Sequence, residues 1–120
     1  MVKKKFARTF VCPSEFALHV LAGKWTVAIL CYLNRQPLRY AQLRRMLPTL
    51  SDKVLTERLA DLGERRLVEK KRLADQSHGV YVLTSAGKSL NGALADLYRW
   101  GEKHADVFGV TVADPLAPLE

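Results

Sequence analysis

Residues 40–65 constrain the fold of this chain more than any other stretch. Leu55, Leu59 and Leu62 fall at i, i+4 and i+7, a single apolar stripe along a helix. Ser51 stands in front of them as an N-cap, and Asp52 in the first turn complements the helix dipole. Just upstream, about Tyr40 to Leu47 reads as a shorter helix, with Leu43, Met46 and Leu47 inward and Arg44 and Arg45 outward. Pro48-Thr49-Leu50-Ser51 leaves a four-residue break between the two. That spacing fits a helix-turn-helix.

The flanking segments supply more helices and a hairpin. Cys12-Pro13-Ser14 opens the folded part, with Ser14 as N-cap and Phe16, Leu18, Val20 and Leu21 as the apolar face of a first helix. Gly23 interrupts the pattern. A second helix, roughly Lys24 to Asn34, carries Trp25, Ala28, Ile29, Leu30 and Leu33, and so broad a stripe predicts the buried centre of the domain. Pro37 ends it, and Leu38-Arg39-Tyr40 is a short extended link. After Gly63 the period changes. Leu67 to Leu73 and Gly79 to Leu83 flank Asp75-Gln76-Ser77-His78 as a β-hairpin with a basic first strand. Thr84 or Ser85 caps a last helix reaching about Phe108, ~36 Å long at 1.5 Å per residue. The expected layout is a basic arm over 1–11, a domain over 12–109, and a loose tail over 110–120 with Pro115 and Pro118.

Composition sets the class. With 120 residues, 48% hydrophobic and 26% charged, the chain can bury a normal core without disulfides or metal. The longest apolar run, Val27 to Leu33, falls far short of the ~20 residues a spanning helix needs, so no membrane role is expected. The start, Met1-Val-Lys-Lys-Lys, lacks the apolar stretch of a secretory signal. Two cysteines are then expected as reduced thiols in a cytoplasm. Nineteen Lys and Arg against twelve Asp and Glu give a net charge of +7. Lys3, Lys4, Lys5 and Arg8 concentrate +4 in residues 1–10, and residues 35–72 hold +6, while the remainder sums to −3. A localised basic region suits a polyanion-binding surface; a surface that is basic only for solubility is the alternative.

The element order, three helices, a recognition-type helix and a basic hairpin, is that of a mainly α winged helix-turn-helix with a small β-hairpin wing. Its fourth helix would enter the major groove of double-stranded DNA, which is wide enough to admit a helix and shows each base pair a distinct donor and acceptor pattern. On that reading Lys53 and Thr56 face outward from the reading helix. Glu57 accepts from a cytosine amino group, or pairs with Lys53 at i+4. Arg39, Arg44 and Arg58 lie near phosphates, the Ser51 hydroxyl caps its helix or reaches a phosphate, and Lys70, Lys71 and Arg72 set the wing beside the backbone. For Lys53 and Thr56 the competing reading is a solvated face. Trp25 and Trp100 read as packing residues.

The ordered set Cys12-Pro13, Gly23-Lys24-Trp25, Ile29-Leu30, Arg39-Tyr40-Ala41-Gln42-Leu43, Ser51-Asp52-Lys53-Val54-Leu55-Thr56, Tyr81-Val82-Leu83-Thr84, Gly87, Leu90 and Trp100-Gly101 resembles the HxlR-type winged-helix regulators, a branch related to the MarR family. The resemblance covers about residues 12–104. It implies a homodimeric bacterial transcription factor that binds an inverted-repeat operator, often in response to electrophiles or oxidants. The sequence departs from the pattern twice. The family usually has Gly before the Leu-Val that starts the wing, where this chain has Arg66. The family's wing usually contains prolines and a Val-Glu-Tyr strand, where this chain has Asp75-Gln76-Ser77-His78 and Gly79-Val80-Tyr81.

Cys12, at the junction of the basic arm and the first helix, is the redox-sensing candidate, because a helix N-terminus and nearby cations favour the reactive thiolate. The alternative is a thiol packed inertly at a dimer seam. Cys31, mid-helix among apolar residues, reads as buried and structural. Homodimerisation through the first and last helices is expected from their surplus of apolar residues, with Phe16, Val20, Leu97, Trp100 and Phe108 at the interface and Phe6, Phe10 and Val11 of the arm reaching toward the partner. No enzyme is expected: His19, His78 and His104 are scattered, and no acid pair, phosphate loop or nucleophile motif accompanies them. No cofactor is implied, and Cys12, His19 and Cys31 do not match a metal-ligand spacing. The rival reading from another class is a winged helix that serves as a protein-interaction module.

Overall fold

The computed structural model describes residues 9–72 and 79–112. The basic cluster and Phe6 of the arm, the hairpin tip at 73–78 and the tail from 113 lie outside the described residues. Among the described residues six helices and two strands follow in the order α1 (Pro13–Val20), α2 (Thr26–Arg35), α3 (Tyr40–Met46), α4 (Asp52–Glu64), β1 (Val68–Lys71), β2 (Val80–Leu83), α5 (Ser85–Ser89) and α6 (Asn91–His104).

The core is built on α2, which buries Thr26, Ile29, Leu30, Cys31, Tyr32 and Leu33. Leu43 of α3, Leu55, Leu59 and Leu62 of α4, Val68 and Leu83 of the hairpin and Leu94 of α6 close around it. Removing a leucine side chain from water contributes roughly 2 kcal/mol, so the stripe on α4 is a main anchor of that helix. The strands pair antiparallel, Val68 opposite Leu83 and Lys71 opposite Val80. Leu38, in the extended link before α3, adds a bridge to Tyr81: its N–H donates at 3.1 Å and its carbonyl accepts the Tyr81 N–H at 2.7 Å. The link expected from the sequence therefore joins the edge of the wing. Among the described residues no helix is long and apolar enough to cross a membrane.

Several boundaries differ from the sequence expectation, each for a local reason. Cys12, not Ser14, occupies the N-cap of α1, and Pro13 takes the first helical position, where its missing N–H costs nothing. The second helix begins at Thr26 because Gly23 (φ +112°) and Trp25 (φ +76°) both take positive φ. The terminal helix is two helices. Thr84 caps α5, its hydroxyl accepting the Gly87 N–H at 3.0 Å, and Leu90 N–H turns back to Gly87 O at 3.2 Å. Asn91 and Gly92, both weak helix formers, follow the break. α6 then ends at His104, and its fourteen residues span ~21 Å rather than ~36 Å.

Candidate nucleic-acid interface

The α3–α4 pair is locked through Asp52, the first residue of α4. The Tyr40 hydroxyl donates to Asp52 Oδ1 at 2.8 Å, and Arg44 Nε donates to the same oxygen at 2.8 Å. Arg44 also donates to the Leu50 carbonyl at 2.8 Å, so one guanidinium spans the turn between the helices. The Tyr40 hydrogen bond first, then the hydrogen bond and charge of Arg44, hold the Asp52 carboxyl below the ordinary carboxylate range. Ser51 caps α4 as the sequence indicates, its Oγ accepting the Val54 N–H at 3.1 Å. Arg39 is the N-cap residue of α3, and its N–H donates to Gln42 Oε1 at 2.8 Å while its side chain is exposed.

With Leu55, Leu59 and Leu62 buried, the opposite face of α4 presents Lys53, Thr56, Glu57 and Ala60 to solvent. Thr56 lies 3.4 Å from the Tyr40 hydroxyl, which places it beside the α3–α4 lock. Arg58 is turned elsewhere. Its Nε donates to the Lys24 carbonyl at 2.9 Å and its Nη1 to Asp61 at 3.3 Å, so its guanidinium ties α4 to the turn before α2. Arg65 makes a similar tie that the sequence does not reveal, donating to the Val20 and Ala22 carbonyls at the end of α1, both at 2.8 Å.

The helix meets the wing at Arg66. The Arg66 N–H donates to Gly63 O and the Leu67 N–H to Leu62 O, both at 3.0 Å, which is the Schellman closure of a helix end. Arg66 takes φ +64° to make it. This is the position where the sequence departs from the usual glycine, and that departure was the available signal of an unusual backbone. Beyond it, Lys70, Lys71 and Arg72 are all exposed. The Lys70 ammonium sits 5.5 Å from the Tyr81 ring centroid, and its stem passes over Gly79. A concavity of about 310 Å³ between α4 and the hairpin is lined in part by Thr56, Ala60, Glu69 and Lys70. The fold thus brings Thr56 and Ala60 of the outward face of α4 and Lys70 of the basic strand to one concavity.

The remaining candidates lie elsewhere. Cys12 is exposed at the start of α1, and its carbonyl accepts the Glu15 and Phe16 N–H groups at 3.1 and 3.3 Å. Phe10 packs on its own chain, 5.4 Å from both the Phe16 and His19 rings. Phe16, Leu97, Trp100 and Phe108 are 45, 48, 55 and 65% exposed, whereas Val20, at 9%, belongs to the domain's own core. Trp25 packs against that core, with the Lys24 ammonium 5.4 Å from its ring. Trp100 instead stacks on His104 at the surface, centroids 4.4 Å apart. Cys31 is buried, as expected, and burial raises its thiol pKa.

Comparison with known proteins agrees with this geometry. A family model described as HxlR-like helix-turn-helix matches residues 20–108. The HTH-type transcriptional regulator YtcD of Bacillus subtilis strain 168 is 34% identical over 113 residues, spanning 92% of this chain and 86% of YtcD. The redox regulator HypR in its reduced form superposes with a TM-score of 0.74 at 28% identity, over 81% of this chain and 97% of HypR. Reduced YodB from B. subtilis gives a TM-score of 0.69 at 28% identity, over 78% of this chain and 94% of YodB. HypR has also been solved oxidised, and YodB both diamide-treated and quinone-bound. The family match over most of the length, the identity with YtcD and the helix-turn-helix with its two-stranded wing agree: the chain belongs to the HxlR-like helix-turn-helix family of transcriptional regulators.

Proposed function

We propose that the chain acts in the cytoplasm as a homodimer that binds an inverted-repeat DNA operator and releases it when Cys12 is oxidised or alkylated. The observation that carries DNA reading is the exposed face Lys53, Thr56, Glu57 and Ala60 on a helix whose other side is anchored in the core. Lys53, Thr56 and Glu57 face base edges in the major groove, with Ser51 and Arg39 near phosphates. Lys71 and Arg72 follow the backbone, and Lys70 approaches it from beside Tyr81. Arg44 and Arg58 hold the reading helix in place through the bonds described above, and any phosphate contact they make is additional.

Dimerisation joins α1 to α6 across a two-fold axis. Phe16, Leu97, Trp100 and Phe108 form the interface, because exposed apolar patches of this kind mark association surfaces. Two-fold symmetry sets two reading helices ~34 Å apart, one turn of duplex. Cys12 lies one helical turn from Phe16, so a group added to its sulfur presses on this seam. The redox regulator HypR and the diamide-treated and quinone-bound forms of YodB make an oxidant or electrophile the class of inducer to try first.

Gel shifts on the chain's own upstream DNA, across a salt series, test the reading. Specific binding weakens steeply with salt and exceeds binding to random duplex. Lys53→Ala combined with Thr56→Ala lowers the preference for the operator by about tenfold, whereas Lys71→Ala weakens all duplexes alike and reduces the salt slope by about one. No preference for any duplex over random DNA refutes DNA regulation, and a monomer in sedimentation at micromolar concentration refutes the dimer. Cys12→Ser should bind the operator and resist release by diamide or a quinone; release equal to the unmodified chain refutes sensing at Cys12.

A further inference from the structure

The Tyr40 hydroxyl belongs both to the α3–α4 lock and to the reading face. It lies 2.8 Å from Asp52 Oδ1, 3.3 Å from the Asp52 carbonyl oxygen and 3.4 Å from Thr56 Oγ1. A phenol has one proton to give. Both Asp52 oxygens are acceptors, and the carboxylate is the nearer and the charged one, so the proton goes to Oδ1. Arg44 Nε donates to that same oxygen at 2.8 Å, and the carboxyl is held below the ordinary carboxylate range, so Asp52 remains an acceptor at neutral pH. The bond between the two hydroxyls then has one direction open to it: Thr56 O–H donates and the Tyr40 oxygen accepts.

We propose that Tyr40 is a positioning residue that presents the Thr56 hydroxyl to DNA as an acceptor, so that Thr56 selects a base bearing an amino group in the major groove. The inference rests on the proposed reading of DNA by α4. An unrestrained threonine hydroxyl rotates to suit its partner, which is why threonine ordinarily reads donors and acceptors alike. Here the proton is directed inward, to a phenol that is half-buried against the core, and the lone pairs are left for the groove. A duplex seated over α4 also displaces the water that competes for the 3.4 Å contact. In the major groove every base pair carries one amino group, N6 of adenine or N4 of cytosine, across from O4 of thymine or O6 of guanine. An acceptor hydroxyl therefore favours A or C at the base it faces. Against G or T it sets oxygen against oxygen. The choice is between amino and carbonyl bases on one strand, not between A·T and G·C pairs.

The test is selection of bound sequences from a library of random DNA duplexes by the full chain, followed by sequencing and a count of bases at each position. The unmodified chain should enrich a motif with one position per half-site where A or C exceeds G or T by about fivefold on one strand. Thr56→Val, which keeps the shape and removes the hydroxyl, identifies that position by flattening it to within about twofold. Thr56→Ser, which keeps the hydroxyl, should retain the preference. Tyr40→Phe should flatten the same position and no other, and the double variant Tyr40→Phe with Thr56→Val should lose nothing more there than either alone. Circular dichroism checks that each variant folds, and the Thr56 variants, at an exposed site, decide the base preference whether or not Tyr40→Phe does. A merely structural Tyr40 would weaken every position together, and that result overturns the proposal. So does a Thr56-dependent position that favours G or T, or one that Tyr40→Phe leaves intact. An enriched motif with no position sensitive to Thr56→Val removes this inference and keeps DNA reading; a library from which no motif is enriched removes both.

Discussion

Replacing Arg66 by glycine tests the joint between the reading helix and the wing. Arg66 holds φ +64° so that its own N–H and that of Leu67 close the end of α4 on Gly63 and Leu62. A residue with a Cβ in the left-handed region costs about 1–2 kcal/mol. Glycine removes that cost but gains freedom in the unfolded chain, which returns roughly 0.5–1 kcal/mol. The net expectation is a gain of about 0.5–1 kcal/mol, because the exposed guanidinium contributes little packing. For a domain of this size that raises Tm by about 4 °C. Arg66→Ala is the control: it removes the charge and keeps the Cβ, so its Tm should stay within about 1–2 °C of the starting chain. Thermal unfolding followed by circular dichroism at one fixed protein concentration measures all three, since association would otherwise shift Tm. If Arg66→Gly is no more stable than Arg66→Ala, the positive φ is not a source of strain and the explanation of this joint is wrong.

Two further stability predictions come from the same region and from the α3–α4 lock. At Gly87 an added Cβ would lie 2.3 Å from the Leu67 carbonyl oxygen, which also accepts the Thr84 N–H, so Gly87→Ala should cost about 2–3 kcal/mol and lower the urea midpoint; an unchanged midpoint refutes so close a contact. Asp52 is held below the ordinary carboxylate range by Tyr40 and Arg44, so its ionised form stabilises the fold above the unfolded carboxylate pKa of about 3.9, and that contribution is lost as pH falls through the lowered folded value. Asp52→Asn should therefore be less stable than the unmodified chain at neutral pH and approach it in acid. A difference in urea midpoint that does not change with pH contradicts this linkage.

The amino-acid order by itself determined the features that depend on near neighbours. The leucines at 55, 59 and 62, the Ser51 cap, the break at Pro48 and the change of period after Gly63 are written within a few residues of each other, and helix, cap and hairpin followed from them. Burial of the leucine stripe also determined which face of α4 is outward, so Lys53, Thr56 and Glu57 were legible as a group. Tertiary structure decided what each long, flexible side chain does. Arg58 and Arg65 find carbonyls 34 to 45 residues away in sequence, and Arg44 finds Asp52 only because the turn brings α4 back against α3. An arginine reaches several partners from one backbone position, so its sequence position does not choose among them. The bridge from Leu38 to Tyr81 and a cavity between α2 and α6 beside Cys31 likewise depend on packing between elements distant in the chain. Local periodicity carries no record of such contacts, because the segments that create them meet only when the core closes.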